Sequence, residues 1–406
     1  MADENLPAIE IVVDRPSHVY RTGEKAKFTV TTPENGTEVE VVFSMDGEAE
    51  IQRCKVLTPC TLKQTLLSPG FLQCKATAQG MSEAVAGVAY DPGDIRPFLP
   101  EPADFREFWQ NALVNQEKIP AEFKQEELTA LSDETFQVFM LECNTVNDCK
   151  CYAYLRLPRS GAPMPLMVYY EGAGLGMCQE HFALHCQTCD KYLPKRIAQL
   201  SIFTHPYRPP VTRAEHEVKH KEFLDSLGGS YWDIGLDKGP EYTFFYRGIL
   251  GAVRMIDHVT AMPEINKERI SYLGASQGGG FGVFLTALCP QIRSAFCGVP
   301  AFCDCGGFLA GRHPTTSKDL VFRKYYDVMR YFDPANFASM IKVPVYMSCG
   351  FIDTTCQPSA IYAAYNELQG NKLMFHKTLH GHGGGPEEYI PLSWFWTACH
   401  LGLCAE

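Results

Sequence analysis

The spacing of apolar and polar positions changes character partway along the chain. From residue 8 to about residue 90 the apolar residues fall in short β-branched or alternating runs, at 9–13, 27–31 and 38–43. Turn signals separate the runs: Arg21-Thr22-Gly23-Glu24, Pro33-Glu34-Asn35-Gly36 and Asp46-Gly47. This pattern predicts a small all-β, immunoglobulin-like sandwich. Residues 91–102 are dense in proline and charge and read as a linker. The period then lengthens. A helix over 103–114 would put Phe105, Phe108, Trp109 and Ala112 on one face. Residues 136–141 and 151–157 read as paired strands. After them strand and helix alternate, with strands expected at 165–170, 201–204, 345–349 and 372–377 and a long helix over 241–262, ended by Pro263. Such alternation predicts a doubly wound, mostly parallel sheet covered on both faces. The expected division is a sandwich over 1–92 and an α/β domain over 93–406.

One stretch in the second half carries chemistry. Ile270, Tyr272 and Leu273 supply a strand, and Gly274-Ala275-Ser276-Gln277-Gly278 follows as G-x-S-x-G. A helix is expected over 281–288. Strand, sharp turn and helix in that order form the nucleophile elbow of an α/β-hydrolase. Side chains at Gly274 or Gly278 would clash where strand and helix run close. The helix N-terminus points at the serine, so the Gln277 backbone N–H is a candidate oxyanion donor. A second donor belongs in the loop after an early strand. Tyr170-Glu171-Gly172-Ala173-Gly174 fits, with the Ala173 N–H as candidate.

A serine hydroxyl needs a base, and the base needs an orienting carboxylate. In this fold they follow in the order Ser, Asp or Glu, His, each after a strand. Gly350-Phe351-Ile352-Asp353 follows the strand at 345–349, and Thr378-Leu379-His380-Gly381-His382-Gly383 follows the strand at 372–377. Ser276, Asp353 and either His382 or His380 therefore stand in the right order. Taken singly, Asp353 is an ordinary turn carboxylate and the histidines an ordinary polar loop.

Composition narrows the classes. The chain has 406 residues and a net charge of −11, with no Lys/Arg cluster, which argues against nucleic acid as a partner. No apolar run is long enough to span a bilayer. Met1-Ala2-Asp3-Glu4-Asn5 lacks the basic and apolar regions of a signal peptide. The 17 cysteines are scattered through expected core elements and read as reduced thiols. Both features favour the cytoplasm; a trimmed signal peptide would make the protein periplasmic or secreted.

With these residues in place, the chain resembles the acetyl xylan esterase and cephalosporin C deacetylase family of carbohydrate esterases over roughly residues 94–400. The resemblance is closest at Tyr242-Thr243-Phe244-Phe245-Tyr246-Arg247 and at Ser276-Gln277-Gly278-Gly279. It continues at Tyr331-Phe332-Asp333 and from Gly350 through Asp353 to Ser359. It implies Ser276 as nucleophile, Asp353 as acid, removal of acetyl groups from sugars or similar alcohols, and no cofactor. A homo-oligomer is compatible with it. The histidine is not decided by the motif, because sliding the family's glycine run onto Gly383-Gly384-Gly385 puts its histidine on Gly381. The setting Gly381-His382-Gly383 and the separation from Asp353 favour His382, with His380 the alternative. The chain departs from the family in reading Thr204-His205-Pro206-Tyr207-Arg208 where an Arg-Gly-Gln motif stands, Ala173 where an aromatic stands, and His382-Gly383 for a His-Glu pair. The sandwich is extra, and without a cluster of exposed aromatics it reads as a packing or spacer domain.

Two other classes stay open: a serine peptidase on the same fold, and a carbohydrate-binding protein on an inactive hydrolase scaffold. Cys178, His181, His185, Cys186 and Cys189 form a run of metal-ligating types. Their spacing matches no common finger, so the expectation is a thiol-rich helix over the active-site mouth and no metal.

Overall fold

A computed structural model describes residues 6–161, 163–312 and 320–403, so Met1 to Asn5, the segment that lacks signal-peptide character, lie outside the described residues. The first eight strands are β1 (Glu10–Val13), β2 (Val19–Tyr20), β3 (Ala26–Thr31), β4 (Glu38–Met45), β5 (Ala49–Leu57), β6 (Cys60–Gln64), β7 (Gly70–Thr77) and β8 (Ala84–Tyr90). They form two sheets, ordered β1-β3-β6 and β2-β8-β7-β4-β5. Period-two alternation drives Phe28 and Val30 of one sheet against Val39, Val41 and Phe43 of the other, all essentially inaccessible.

The α/β part begins with α1 (Phe105–Glu117), β9 (Lys124–Glu127), β10 (Phe136–Asn144), β11 (Lys150–Pro158) and β12 (Met164–Tyr170). It continues with α2 (Gln179–Tyr192), β13 (Ala198–Ile202), α3 (Arg213–Leu227), α4 (Phe244–Thr260), β14 (Ile265–Ala275), α5 (Gln277–Leu288) and β15 (Ser294–Gly298). The remainder is α6 (Leu320–Lys324), α7 (Tyr326–Met329), α8 (Pro334–Ala338), β16 (Val345–Gly350), α9 (Pro358–Glu367), β17 (Lys372–Lys377) and α10 (Tyr389–His400). The strands make one sheet ordered β17-β16-β15-β14-β12-β13-β11-β10-β9. It is parallel from β17 to β13 and antiparallel from there to β9.

Both faces of the parallel strands are buried. On β12, Leu166, Val168 and Tyr170 face the core under α4 and α5, while Met167 faces the cluster under α10. On β14, Tyr272 and Leu273 divide in the same way. Strands covered on both sides read as continuous apolar runs, which is why they were visible in the sequence.

Three elements start three or more residues from their expected places. The strand expected over 201–204 is β13, three residues earlier; its buried polar residues Gln199 and Ser201 interrupt the apolar run. The helix expected from residue 241 starts at Phe244, because the Thr243 hydroxyl accepts the Tyr246 N–H at 3.1 Å and caps it. The helix expected from residue 281 starts at Gln277, running through three glycines that look like helix breakers. Their reason is tertiary. A Cβ on Gly278 would lie 2.2 Å from the Tyr170 carbonyl oxygen, and one on Gly279 or Gly280 would lie 2.6 Å from the Gly298 or Ala301 oxygen.

The reduced-thiol expectation needs one correction. Cys399 is disulfide-bonded, whereas fifteen other cysteines are free, most of them in the core. Cys399 sits half-buried in the last turn of α10. Among the described residues no helix is long and apolar enough to cross a membrane.

Trp109 anchors α1. It is 2% exposed, meets the Phe332 and Phe337 rings edge-on, and donates to the Tyr331 carbonyl at 3.1 Å. Trp109→Ala should cost about 3–5 kcal/mol in urea unfolding. Val114→Ala, on the exposed face of the same helix, should stay within about 0.5 kcal/mol.

Candidate active site

Ser276 stands between β14 and α5 with φ 58° and ψ −123°, a strained backbone for a residue with a side chain. The strain is held from three sides. Its N–H donates to Gly298 at 2.9 Å, and its carbonyl accepts from Gly280 and Ala301 at 3.0 Å each. A Cβ on Gly274 would lie 2.7 Å from the Gly278 oxygen, so strand and helix do pass as closely as the motif requires. The Cys356 thiol is buried within hydrogen-bonding reach of Ser276, and burial pushes it well above the usual thiol range, so it stays neutral.

His382 bridges Ser276 and Asp353. Its Nε2 lies 2.9 Å from the Ser276 Oγ and its Nδ1 2.9 Å from the Asp353 Oδ2. Asp353 is fully buried, and its other oxygen accepts the N–H groups of Thr355 and Cys356 at 2.8 and 2.9 Å. Both bonds fall on Oδ1 and leave Oδ2 for the imidazole. His380 is not brought to the serine. Its backbone closes the loop, donating to Lys377 at 3.1 Å and accepting from Ile352 at 3.4 Å. Lys377, the last residue of β17, is 1% exposed and donates to the carbonyls of His382 and Gly384 at 3.0 Å each. Burial lowers its ammonium from the usual lysine range, and the Asp353 charge pulls the other way.

The loop after β12 is tied to the elbow by one side chain. Gln277 is fully buried, and its amide is satisfied at every position. Nε2 donates to Thr204 Oγ1 at 2.9 Å and to the Gly172 carbonyl at 3.4 Å. Oε1 accepts from the Tyr231 hydroxyl at 2.9 Å and from the Trp232 indole at 2.8 Å. Tyr231 in turn accepts the Gly174 N–H at 3.2 Å. The loop holding Ala173 is thus pinned on both sides of that residue. The Gln277 backbone N–H is the first of α5 and has no carbonyl within the helix to take it.

Residues in place of the family's Arg-Gly-Gln motif hold the same loop. The Thr204 N–H donates to Glu171 Oε1 at 2.9 Å, and His205 Nε2 donates to the Gly174 carbonyl at 2.8 Å. Burial lowers the His205 ring to about 3 and pushes the Glu171 carboxyl up to about 8, so both are neutral at pH 7. Tyr231, Trp232 and Lys377 carry no signal in the sequence, where each stands outside any motif, and Glu171 lies in the oxyanion-loop stretch without a role that its neighbours in sequence reveal. The helix α3 beside them did carry a signal, the Thr212/Glu215 capping box and the terminal Gly228.

The cysteine and histidine run lies on α2. His185 packs on the Tyr169 ring at 4.3 Å and its Nε2 lies 3.5 Å from the Cys189 sulfur, while the Cys186 thiol donates to Gln199 at 3.8 Å. Among the described residues no group of three or more His, Cys, Asp or Glu is placed to hold a metal ion.

A serine on a nucleophile elbow, at the C-terminal edge of a mixed and mostly parallel sheet, defines an α/β-hydrolase. The chain belongs to the acetyl xylan esterase family, whose AXE1 model matches residues 93–387, and it is a carboxylic ester hydrolase. It is 24% identical over 396 residues to the acetyl esterase Axe7A of Xylanibacter ruminicola, covering 93% of this chain and 88% of that protein. Its fold is similar to acetyl xylan esterase 1 from Thermoanaerobacterium sp. JW/SL YS485, with TM-score 0.62 and 19% identity over 77% of this chain and 97% of that one. An acetyl xylan esterase from Paenibacillus sp. R4 is comparable, with TM-score 0.61 and 21% identity over 76% and 98%. The family model begins at residue 93, beyond the sandwich, whereas the match to the Xylanibacter protein runs into it.

The raised Glu171 carboxyl makes stability depend on pH. Its folded value of about 8 lies above the ordinary 4.5, so between them the folded chain keeps a proton that the unfolded chain has lost. Its contribution is complete below the lower value, falls as pH rises, and is gone above the upper one. The thermal midpoint of the wild type should therefore drop between about pH 5 and about pH 9 by more than that of Glu171→Gln, which keeps the acceptor for Thr204. Parallel curves for the two proteins would contradict this.

Proposed function

We propose that the protein hydrolyses short acyl esters, acetyl esters above all, of sugars or similar alcohols through a Ser-His-Asp triad and an acyl-enzyme. The observation that carries this reading is the single imidazole lying 2.9 Å from both the Ser276 hydroxyl and the Asp353 carboxylate. Ser276 Oγ attacks the ester carbonyl while His382 Nε2 takes its proton. Asp353 holds the Nδ1–H and stabilises the imidazolium. The N–H groups of Ala173 and Gln277 receive the negative charge that develops on the carbonyl oxygen. Collapse of the tetrahedral species expels the alcohol, protonated by His382. Water, deprotonated by the same histidine, then attacks the acyl-serine and releases the acid and free Ser276.

The acetyl preference rests on the family and on the acetyl esterase named among its relatives. The family fixes the scaffold more tightly than the alcohol, and Ala173 in place of an aromatic leaves more room beside the carbonyl.

Two tests follow from the geometry. His382→Ala should fall by several orders of magnitude in turnover, to the level of Ser276→Ala, while His380→Ala keeps measurable activity. The reverse ranking in folded variants would overturn the choice of base. Across p-nitrophenyl esters of rising chain length, acetyl should give the highest kcat/KM, and faster turnover of octanoyl esters would defeat the short-acyl reading.

A further inference from the structure

The loop that carries Asp353, between β16 and α9, is held from two directions. On the hydrolase side, the Phe351 N–H donates to Lys377 and the Asp353 N–H to Gly350, each at 3.2 Å. On the other side stands the N-terminal sandwich. Gln73 of β7, 2% exposed, donates its Nε2 to the Phe351 carbonyl at 3.3 Å. Gly87 of β8 comes so near that a Cβ there would lie 2.4 Å from the same oxygen. The Phe71 ring meets Phe351 edge-on at 5.1 Å and Tyr362 of α9 at 5.6 Å. At the far end of the loop, Asp46 accepts the Ser359 hydroxyl at 2.8 Å, in the first turn of α9.

Asp46 is the telling residue. It is fully buried, its backbone is left-handed at φ 51°, and its Oδ2 has no partner. Burial pushes the carboxyl up to about 7, against the pull of the Ser359 hydroxyl and N–H and the more distant Arg312 charge. A half-satisfied buried carboxylate costs stability that apolar packing would not. What it supplies is a directional bond, which apolar packing lacks. With Gln73 it brackets Asp353 on both sides along the chain. Misplacement of a catalytic group by about 1 Å can cost two orders of magnitude in rate.

We propose that the sandwich is a positioning element for the acid of the triad: Asp46 and Gln73 fix residues 351–359 so that Asp353 meets His382. This rests on the triad reading given above and assigns the sandwich a part in turnover beyond packing or spacing.

The test uses the full chain. Asp46→Ala and Gln73→Leu are compared with Asp46→Asn, which keeps an oxygen for Ser359, and with Val30→Ala, which opens a cavity in the other sheet of the sandwich. For each, kcat and KM on p-nitrophenyl acetate, the rate of Ser276 labelling by a fluorophosphonate, and the thermal midpoint are measured. Asp46→Ala and Gln73→Leu should lose about tenfold or more in kcat with KM changed less than about threefold, and label correspondingly slowly. Asp46→Asn should recover most of the loss. Val30→Ala should lower the midpoint while keeping kcat within about twofold. Should Asp46→Ala fail to fold, Gln73→Leu decides the matter. Wild-type kcat in a folded Gln73→Leu or Asp46→Ala would overturn the proposal. So would an equal loss of kcat in Val30→Ala at a matched midpoint. Full activity in Asp353→Asn is a separate result: it would sink the triad reading itself, whatever the sandwich variants do.

Discussion

Everything at the site depends on one close approach of bare backbone. The start of α5 lies against β12 and β15 with no side chain between them, because Gly278 faces the Tyr170 carbonyl and Gly279 faces Gly298. That approach lets α5 begin at the residue after Ser276. It leaves Ser276 in its left-handed conformation and leaves the first N–H of the helix without a partner. A methyl group at any of these glycines would push the helix away and relax the turn. The strain at Ser276 is maintained by packing several residues distant, through the bonds to Gly298, Gly280 and Ala301.

Around that contact the protein places neutral polar groups more often than charges. Gln277 uses its whole amide to join three loops, and Glu171 and His205, both neutral at pH 7, brace the loop that bears Ala173. Neutral groups avoid the desolvation cost of buried charge while keeping direction. Lys377 differs: burial lowers its ammonium, but it sits where Asp353 offers opposite charge and two loop carbonyls accept its protons. The result is a serine region surrounded by fixed dipoles, the arrangement that electrostatic stabilisation of an oxyanion requires.

The sandwich shares in this. Phe71 and Ala89 pack into the same apolar cluster as the core under α4 and α5, so the two parts of the chain bury a common surface. An apolar interface alone would join them. Asp46, Gln73 and the tight fit of Gly87 go further and set the height of the loop after β16.

The sequence by itself determined the architecture and the order of the chemistry. β-branched runs with turn residues between them announce a sandwich, and long apolar runs alternating with helices announce a covered parallel sheet, because burial on one face or two writes its period into the chain. The elbow was legible because close backbone approach admits only glycine. Strand ends before Asp353 and before the pair His380 and His382 placed both on one edge of the sheet. The choice between those histidines was legible only in part: the flanking glycines and the separation from Asp353 favoured His382, but the two stand two residues apart in one loop, and the folding of that loop over Ile352 and Lys377 is what turns His382 toward Ser276. The start of α5 was misplaced because three glycines argue against a helix until the Tyr170 and Gly298 carbonyls are seen beside them. The side-chain bonds of Gln277, Glu171, Tyr231 and Asp46 stayed silent for a related reason. Their partners lie tens to hundreds of residues away, from 33 for Glu171 and Thr204 to 313 for Asp46 and Ser359, and no local period records a hydrogen bond across that distance.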